Sequence, residues 1–109
     1  MCAQFVDRTV NAGLRMEQQP FPIDNCVFSN CIPDSMTGGA AVADYNNDGY
    51  PDIVVTRLFN YDILFRNNHD GTFSDVSMSA GLGMSSNHRS NGVNWCDIDN
   101  DGLVLFLKF

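Results

Sequence analysis

The side chains able to do chemistry in this chain are oxygen donors, and they alternate along one short stretch. Asp44-Tyr45-Asn46-Asn47-Asp48-Gly49-Tyr50-Pro51-Asp52 carries carboxylate or amide oxygens at 44, 46 and 48, glycine at 49 and a further carboxylate at 52. Such spacing aims the groups into one concavity when the backbone curls, and Gly49 permits the sharp turn the curl requires. Hard divalent cations take about six to eight oxygens from carboxylates, amides and backbone carbonyls at roughly 2.3–2.6 Å. Asp44, Asn46, Asp48 and Asp52, with the Tyr50 backbone carbonyl, supply such a set, so the stretch reads as a calcium loop. An EF-hand would need a bidentate Glu at position twelve and helices on both sides. Position twelve from Asp44 is Val55, and the flanks Ala40–Ala43 and Ile53–Thr56 are short, small or β-branched. These flanks read as strands, with Pro51 at the start of the second, where proline is tolerated. The competing reading is a metal-free Asn-Asp-Gly turn. That needs one or two such residues rather than four in register.

The pattern occurs twice. Gly92-Val93-Asn94-Trp95-Cys96-Asp97-Ile98-Asp99-Asn100-Asp101-Gly102 repeats Gly39–Gly49 at an offset of 53 positions. Its candidate ligands are Asp97, Asp99 and Asp101 with the Leu103 backbone carbonyl. A second pair links Phe5-Val6-Asp7-Arg8-Thr9-Val10-Asn11-Ala12-Gly13-Leu14 to Phe73-Ser74-Asp75-Val76-Ser77-Met78-Ser79-Ala80-Gly81-Leu82. Self-similarity at a period of some fifty residues marks a propeller or solenoid. With the stretch Leu64-Phe65-Arg66-Asn67-Asn68-His69-Asp70-Gly71-Thr72-Phe73, these motifs resemble the FG-GAP/VCBS repeats of integrin-α-type β-propellers. Within that group the chain is most similar to the cartilage acidic protein family and its bacterial relatives. The matching residues run from Phe5 to Gly102 with one interruption.

The resemblance implies an all-β fold: a partial β-propeller with one complete four-stranded antiparallel blade and parts of its two neighbours. On that reading, 1–14 holds the last strand of a preceding blade, with Phe5–Thr9 as strand, and 15–37 is a loop insertion. Residues 38–82 are the complete repeat, 83–90 a polar, mobile crossing, and 91–109 the start of a further repeat. Ala40–Ala43 is the innermost strand, its small residues suited to a crowded axis. Asp52–Arg57, Tyr61–Asn67 and Thr72–Val76 follow as the second to fourth strands, and Ser77–Leu82 as a turn. Asn91–Cys96 opens the next blade. The ninth loop position is Asp52 in the first copy but Leu105 in the second, and the tail Leu103–Phe109 is almost wholly apolar. The second loop is therefore expected to bind calcium more weakly.

Composition bounds the function classes. The 109 residues make at most one domain, and the formal charge of −7 comes from 13 acidic against 6 basic residues. Asp44, Asp48, Asp52, Asp97, Asp99 and Asp101 all sit in the two loops, so the charge is explained by cation binding, and it argues against nucleic acid as a partner. No apolar run approaches the roughly 18 residues of a membrane span. The start, Met1–Thr9, carries no basic segment or hydrophobic core of a signal peptide. The resemblance nevertheless implies an extracellular, secreted parent, so the chain is expected to be a fragment. As such it would leave Ile53, Val55, Leu64, Phe65 and Leu103–Phe109 partly exposed, with open strand edges.

Other reactive side chains form no constellation. Cys26 and Cys31 read as a small disulfide loop if secreted, with two free thiols or pairing with Cys2 as alternatives. His69 in a turn and His88 in a polar linker read as solvated, Asp7 and Asp75 as turn or cap residues, Trp95 and Cys96 as buried packing. The loop serines lack a Gly-x-Ser-x-Gly frame or a paired base. The chain thus reads as non-enzymatic: a calcium-binding structural and interaction module whose partners, by resemblance, are matrix or cell-surface proteins. The alternatives are a non-catalytic accessory region of a larger secreted lyase or lipase, and a dockerin-like module, which would require helices after the loops.

Overall fold

In the computed structural model, residues 4–17, 38–57, 60–82 and 90–108 are described. The Cys26/Cys31 pair, Cys2, His88, most of the 15–37 insertion and the crossing 83–89 lie outside them. The described residues contain six strands: β1 (Ala40–Ala43), β2 (Asp52–Val55), β3 (Ile63–Asn67), β4 (Phe73–Asp75), β5 (Val93–Cys96) and β6 (Leu105–Lys108). The fold is all-β and propeller-like, built from antiparallel ladders. β1 to β4 form one sheet in chain order, and β5 pairs with β6 in a second.

The ladders reproduce the sequence repeat. Ala43 faces Asp52 and Ala40 faces Val55 across β1–β2. Cys96 faces Leu105 and Val93 faces Lys108 across β5–β6. Every residue of the second hairpin thus sits at the offset the motifs give. β-Branched residues make β2, and its neighbour β3 supplies Ile63, Leu64 and Phe65, all buried with Val54. The expected strand bounds contract by one or two residues where ladder pairing stops.

The two repeats touch along their first strands. A Cβ on Gly39 would lie 3.3 Å from both the Asn91 carbonyl oxygen and the Gly92 Cα, a tight fit that a side chain would relieve only by pushing the two backbones apart. Thr56 secures the same point: its amide donates to the Gly39 carbonyl at 2.9 Å, and its Oγ1 accepts from the Gly39 amide at 2.7 Å. Nearby, buried Asp62 accepts from the Arg57 amide at 3.2 Å and from Ser90 Oγ at 3.2 Å. Its Oδ2 lies 3.6 Å from Lys108 Nζ on β6. One carboxylate therefore links both repeats.

Three expectations are corrected. Phe5–Thr9 forms no strand: no strand among the described residues runs beside it, and Phe5 is 99% exposed. Leu64 and Phe65 are buried rather than open, and pairing alongside β3 continues past the end of β4. There the Val76 amide donates to the Leu64 carbonyl, and the Leu64 amide donates to Ser77 Oγ. Cys96 is an exposed free thiol rather than a packed one, since alternation along β5 turns Val93 and Trp95 inward and Asn94 and Cys96 outward. Trp95 does pack, edge-on to Phe106 with ring centroids 5.5 Å apart. Leu103, Leu105 and Leu107 are exposed as expected.

Candidate metal centre

The β1–β2 and β5–β6 connections share one backbone path. Asn47 and Gly49 take φ of 60° and 86°, and Asn100 and Gly102 take 59° and 86°. Asn tolerates the left-handed region because its short polar side chain bonds locally, and glycine because it has no Cβ. The first aspartate of each loop organises the turn. Asp44 Oδ1 accepts from the Asp48 amide at 3.0 Å and Oδ2 from the Gly49 amide at 2.7 Å. Asp97 does the same for Asp101 at 3.2 Å and Gly102 at 3.0 Å. The aspartate at the fifth loop position then holds the seventh amide: Tyr50 N–H donates to Asp48 Oδ1 at 2.9 Å and Leu103 N–H to Asp101 Oδ1 at 2.8 Å. In both copies these bonds gather the oxygen-bearing side chains on the inside of the curl.

In the second loop Asp97, Asp99 and Asp101 each offer an oxygen, and the three atoms lie within 4.8 Å of one another. Among the described residues it is the one trio of acidic, His or Cys side chains that does so. The first loop differs because its middle position is an amide, Asn46, whose Nδ2 donates to Asp48 Oδ2 at 2.9 Å. That same oxygen meets His69 Nε2 at 2.9 Å, and the His69 ring stacks on Tyr50 with centroids 3.8 Å apart. The hydrogen bond from His69 is the main cause holding the Asp48 carboxyl below its ordinary value.

Asp52 takes a different position from its neighbours in the motif. It is fully buried, and its carboxylate accepts from the Tyr45 amide at 3.2 Å and from the Asn67 amide at 2.7 Å. It therefore joins the loop to the end of β3, and each oxygen keeps a further lone pair. Asn67 Nδ2 adds a bond to the Pro51 carbonyl at 3.0 Å. Leu105 occupies the matching place on β6 and offers no acceptor.

A family model for the FG-GAP-like repeat matches residues 44–104, more than half of the chain. The chain belongs to this family. No curated protein matches it. The matched span of the FG-GAP-like repeat runs from the first loop aspartate to the residue before β6, and so takes in both loops and the whole β2–β4 hairpin set. The other repeated motif also has one structure in both copies. Asp7 Oδ1 accepts from the Thr9 amide at 2.9 Å and Asp75 Oδ1 from the Ser77 amide at 3.0 Å. Asp7 and Asp75 are thus turn residues, as their positions suggested.

Two residues were missed by sequence reasoning. His69, read as solvated, contacts both Asp48 and Tyr50. Asp52, read only as a ligand, is also a buried acceptor for two backbone amides. No local signal marked His69, whose approach to a loop 21 residues away depends on the fold. No helix among the described residues is long and apolar enough to cross a membrane.

Proposed function

We propose that the chain is a calcium-binding repeat segment of an extracellular propeller, serving as a structural and protein-interaction module rather than a catalyst. The observation that carries this reading is the convergence of Asp97, Asp99 and Asp101 to within 4.8 Å, on a loop path that the first repeat shares. Three carboxylates so close repel one another, and hard oxygen donors on an exposed curl match a divalent cation of the calcium type. Asp44, Asn46, Asp48, Asp52 and the Tyr50 carbonyl would hold one ion; Asp97, Asp99, Asp101 and the Leu103 carbonyl would hold another. When bound, calcium supplies charge neutralisation and a clamp between adjacent strands. The first site is the tighter, since Asp52 adds a carboxylate where the second repeat has Leu105. Many oxygens on a flexible loop favour calcium over magnesium, which demands a near-ideal octahedron.

The partners fitting this module are matrix or cell-surface proteins, as the chain's resemblance to the cartilage acidic protein family implies. Isothermal calorimetry tests the metal. Calcium should bind the full chain with measurable heat, and Asp48→Ala and Asp101→Ala should each remove one site. Heats unchanged by both substitutions would sink the ligand assignment.

A further inference from the structure

His69 stands in the β3–β4 turn with φ of 68°, a left-handed conformation that suits glycine and strains a residue with a side chain. Such strain persists where surrounding contacts over-determine it, and those contacts point to a role. Here they lead to the first loop. His69 Nε2 lies 2.9 Å from Asp48 Oδ2. A carboxylate only accepts, so Nε2 carries the proton and donates. The ring lies flat on Tyr50, with centroids 3.8 Å apart and planes 15° from parallel. The turn itself is tied down on the same side. The His69 amide donates to Asn67 Oδ1 at 2.9 Å. Asn67 in turn donates from Nδ2 to the Pro51 carbonyl at 3.0 Å and from its amide to buried Asp52 at 2.7 Å.

We infer that His69 is a positioning residue of the first loop: from the β3–β4 turn it fixes the Asp48 carboxylate and the Tyr50 peptide in the arrangement that receives calcium. It touches two members of the candidate ligand set, Asp48 by hydrogen bond and Tyr50, whose carbonyl is the donor, by its ring. The bonds on Asp48 also select the oxygen that is offered. Oδ2 accepts from both His69 Nε2 and Asn46 Nδ2, which fills its two lone pairs. Oδ1 accepts from the Tyr50 amide and keeps the second lone pair for a cation. His69 is not a ligand in this scheme, because calcium takes oxygen donors whereas imidazole suits zinc, copper and nickel. Among the described residues no side-chain donor bonds Asp101, whose carboxylate holds the Leu103 amide, and Leu103 stands where Tyr50 does. The second loop therefore serves as an internal control. The inference rests on the calcium reading of the first loop proposed above and deepens it.

The test is a calcium titration of the isotope-labelled full chain, followed by NMR at the Gly49 and Gly102 amides, for the wild type, His69→Gly and His69→Gln. Loss of a group that orients a metal ligand typically weakens binding about ten- to a hundredfold. His69 is partly exposed, so the Gly49 midpoint should rise by the lower figure, about tenfold, in His69→Gly. The Gly102 midpoint should stay in place, which also reports that the variant is folded. His69→Gln carries the same backbone strain but sets a side-chain amide donor at the reach of Nε2, and it should recover most of the affinity. A Gly49 midpoint in His69→Gly within about twofold of the wild type, well short of the expected change, overturns the inference. So do both glycine midpoints rising together, or a glutamine variant no better than the glycine one. Failure of the calcium reading shows separately: the wild-type Gly49 resonance itself then stays in place, and the inference falls with it.

Discussion

Replacing Asp52 by leucine gives the first repeat the residue that the second carries at Leu105, and it separates two roles of one carboxylate. Asp52 is fully buried and accepts two backbone amides, from Asn67 at 2.7 Å and Tyr45 at 3.2 Å. A hydrogen bond to a charged group contributes about 1.5–3 kcal/mol, and a buried donor left without a partner costs about 1–3 kcal/mol. The short Asn67 bond belongs at the upper end and the long Tyr45 bond at the lower, so losing both costs about 3–5 kcal/mol. The leucine's extra apolar burial offsets about 1 kcal/mol. The net loss is then about 2–4 kcal/mol, and it should be present in chelator, where no ion contributes. Urea denaturation of the full chain and of D52L, each in chelator and in calcium, reads it directly. A loss under about 1 kcal/mol in chelator, with the whole effect appearing only in calcium, would refute the argument that Asp52 anchors the loop to β3 through its amides.

Three further outcomes follow from the same geometry. Gly13→Val and Gly81→Val share the left-handed backbone cost of roughly 1–2 kcal/mol, since φ is +74° and +81°. Gly13→Val should cost about 1–3 kcal/mol more for its clash with the Phe73 carbonyl, and equal denaturation midpoints would count against that contact. Val54→Ala should cost about 2–3 kcal/mol, two buried carbons plus a cavity, because Val54 is 0% exposed. Leu107→Ala at the matching position, 37% exposed, should cost under about 1.5 kcal/mol, and the reverse order in thermal melts would contradict the packing. The Asp48 carboxyl sits below its ordinary value of 3.8 through its bond to His69. A depressed folded value contributes stability above the unfolded value that is lost as pH falls through the folded one, so this contribution fades only below pH 3.8. Carbon-detected NMR titration of Asp48 should show its midpoint rise in His69→Ala; an unmoved midpoint would remove His69 as the cause.

What the sequence disclosed was local. The alternate oxygens of Asp44–Asp52 and Asp97–Asp101, the glycines at 49 and 102 and the β-branched run Ile53–Val55 fixed both loops and their flanking strands, because turn chemistry and alternation depend on near neighbours. The β5–β6 register matches the repeat offset, although the apolar, non-alternating Leu103–Phe109 gave no sign of it. What escaped notice depends on parts distant in sequence meeting in space. His69 reaches Asp48 only because the β3–β4 turn lies beside the β1–β2 loop. Asp52 finds the Asn67 amide for the same reason. Phe5–Thr9 has strand composition but no neighbouring strand among the described residues, and composition alone does not hydrogen-bond a ladder. Cys96 followed its alternation outward, against the usual burial of a free cysteine.

Calcium held in both loops is the central expectation for this chain. The amides of Gly49 and Gly102 donate to Asp44 Oδ2 and Asp97 Oδ2, so they report any ion drawn to those carboxylates. Two-dimensional amide NMR of the isotope-labelled chain, titrated with calcium, should move both glycine resonances saturably, Gly49 at the lower concentration, with magnesium moving neither to the same extent. Resonances that stay in place up to millimolar calcium, while the rest of the spectrum remains that of a folded chain, would contradict it.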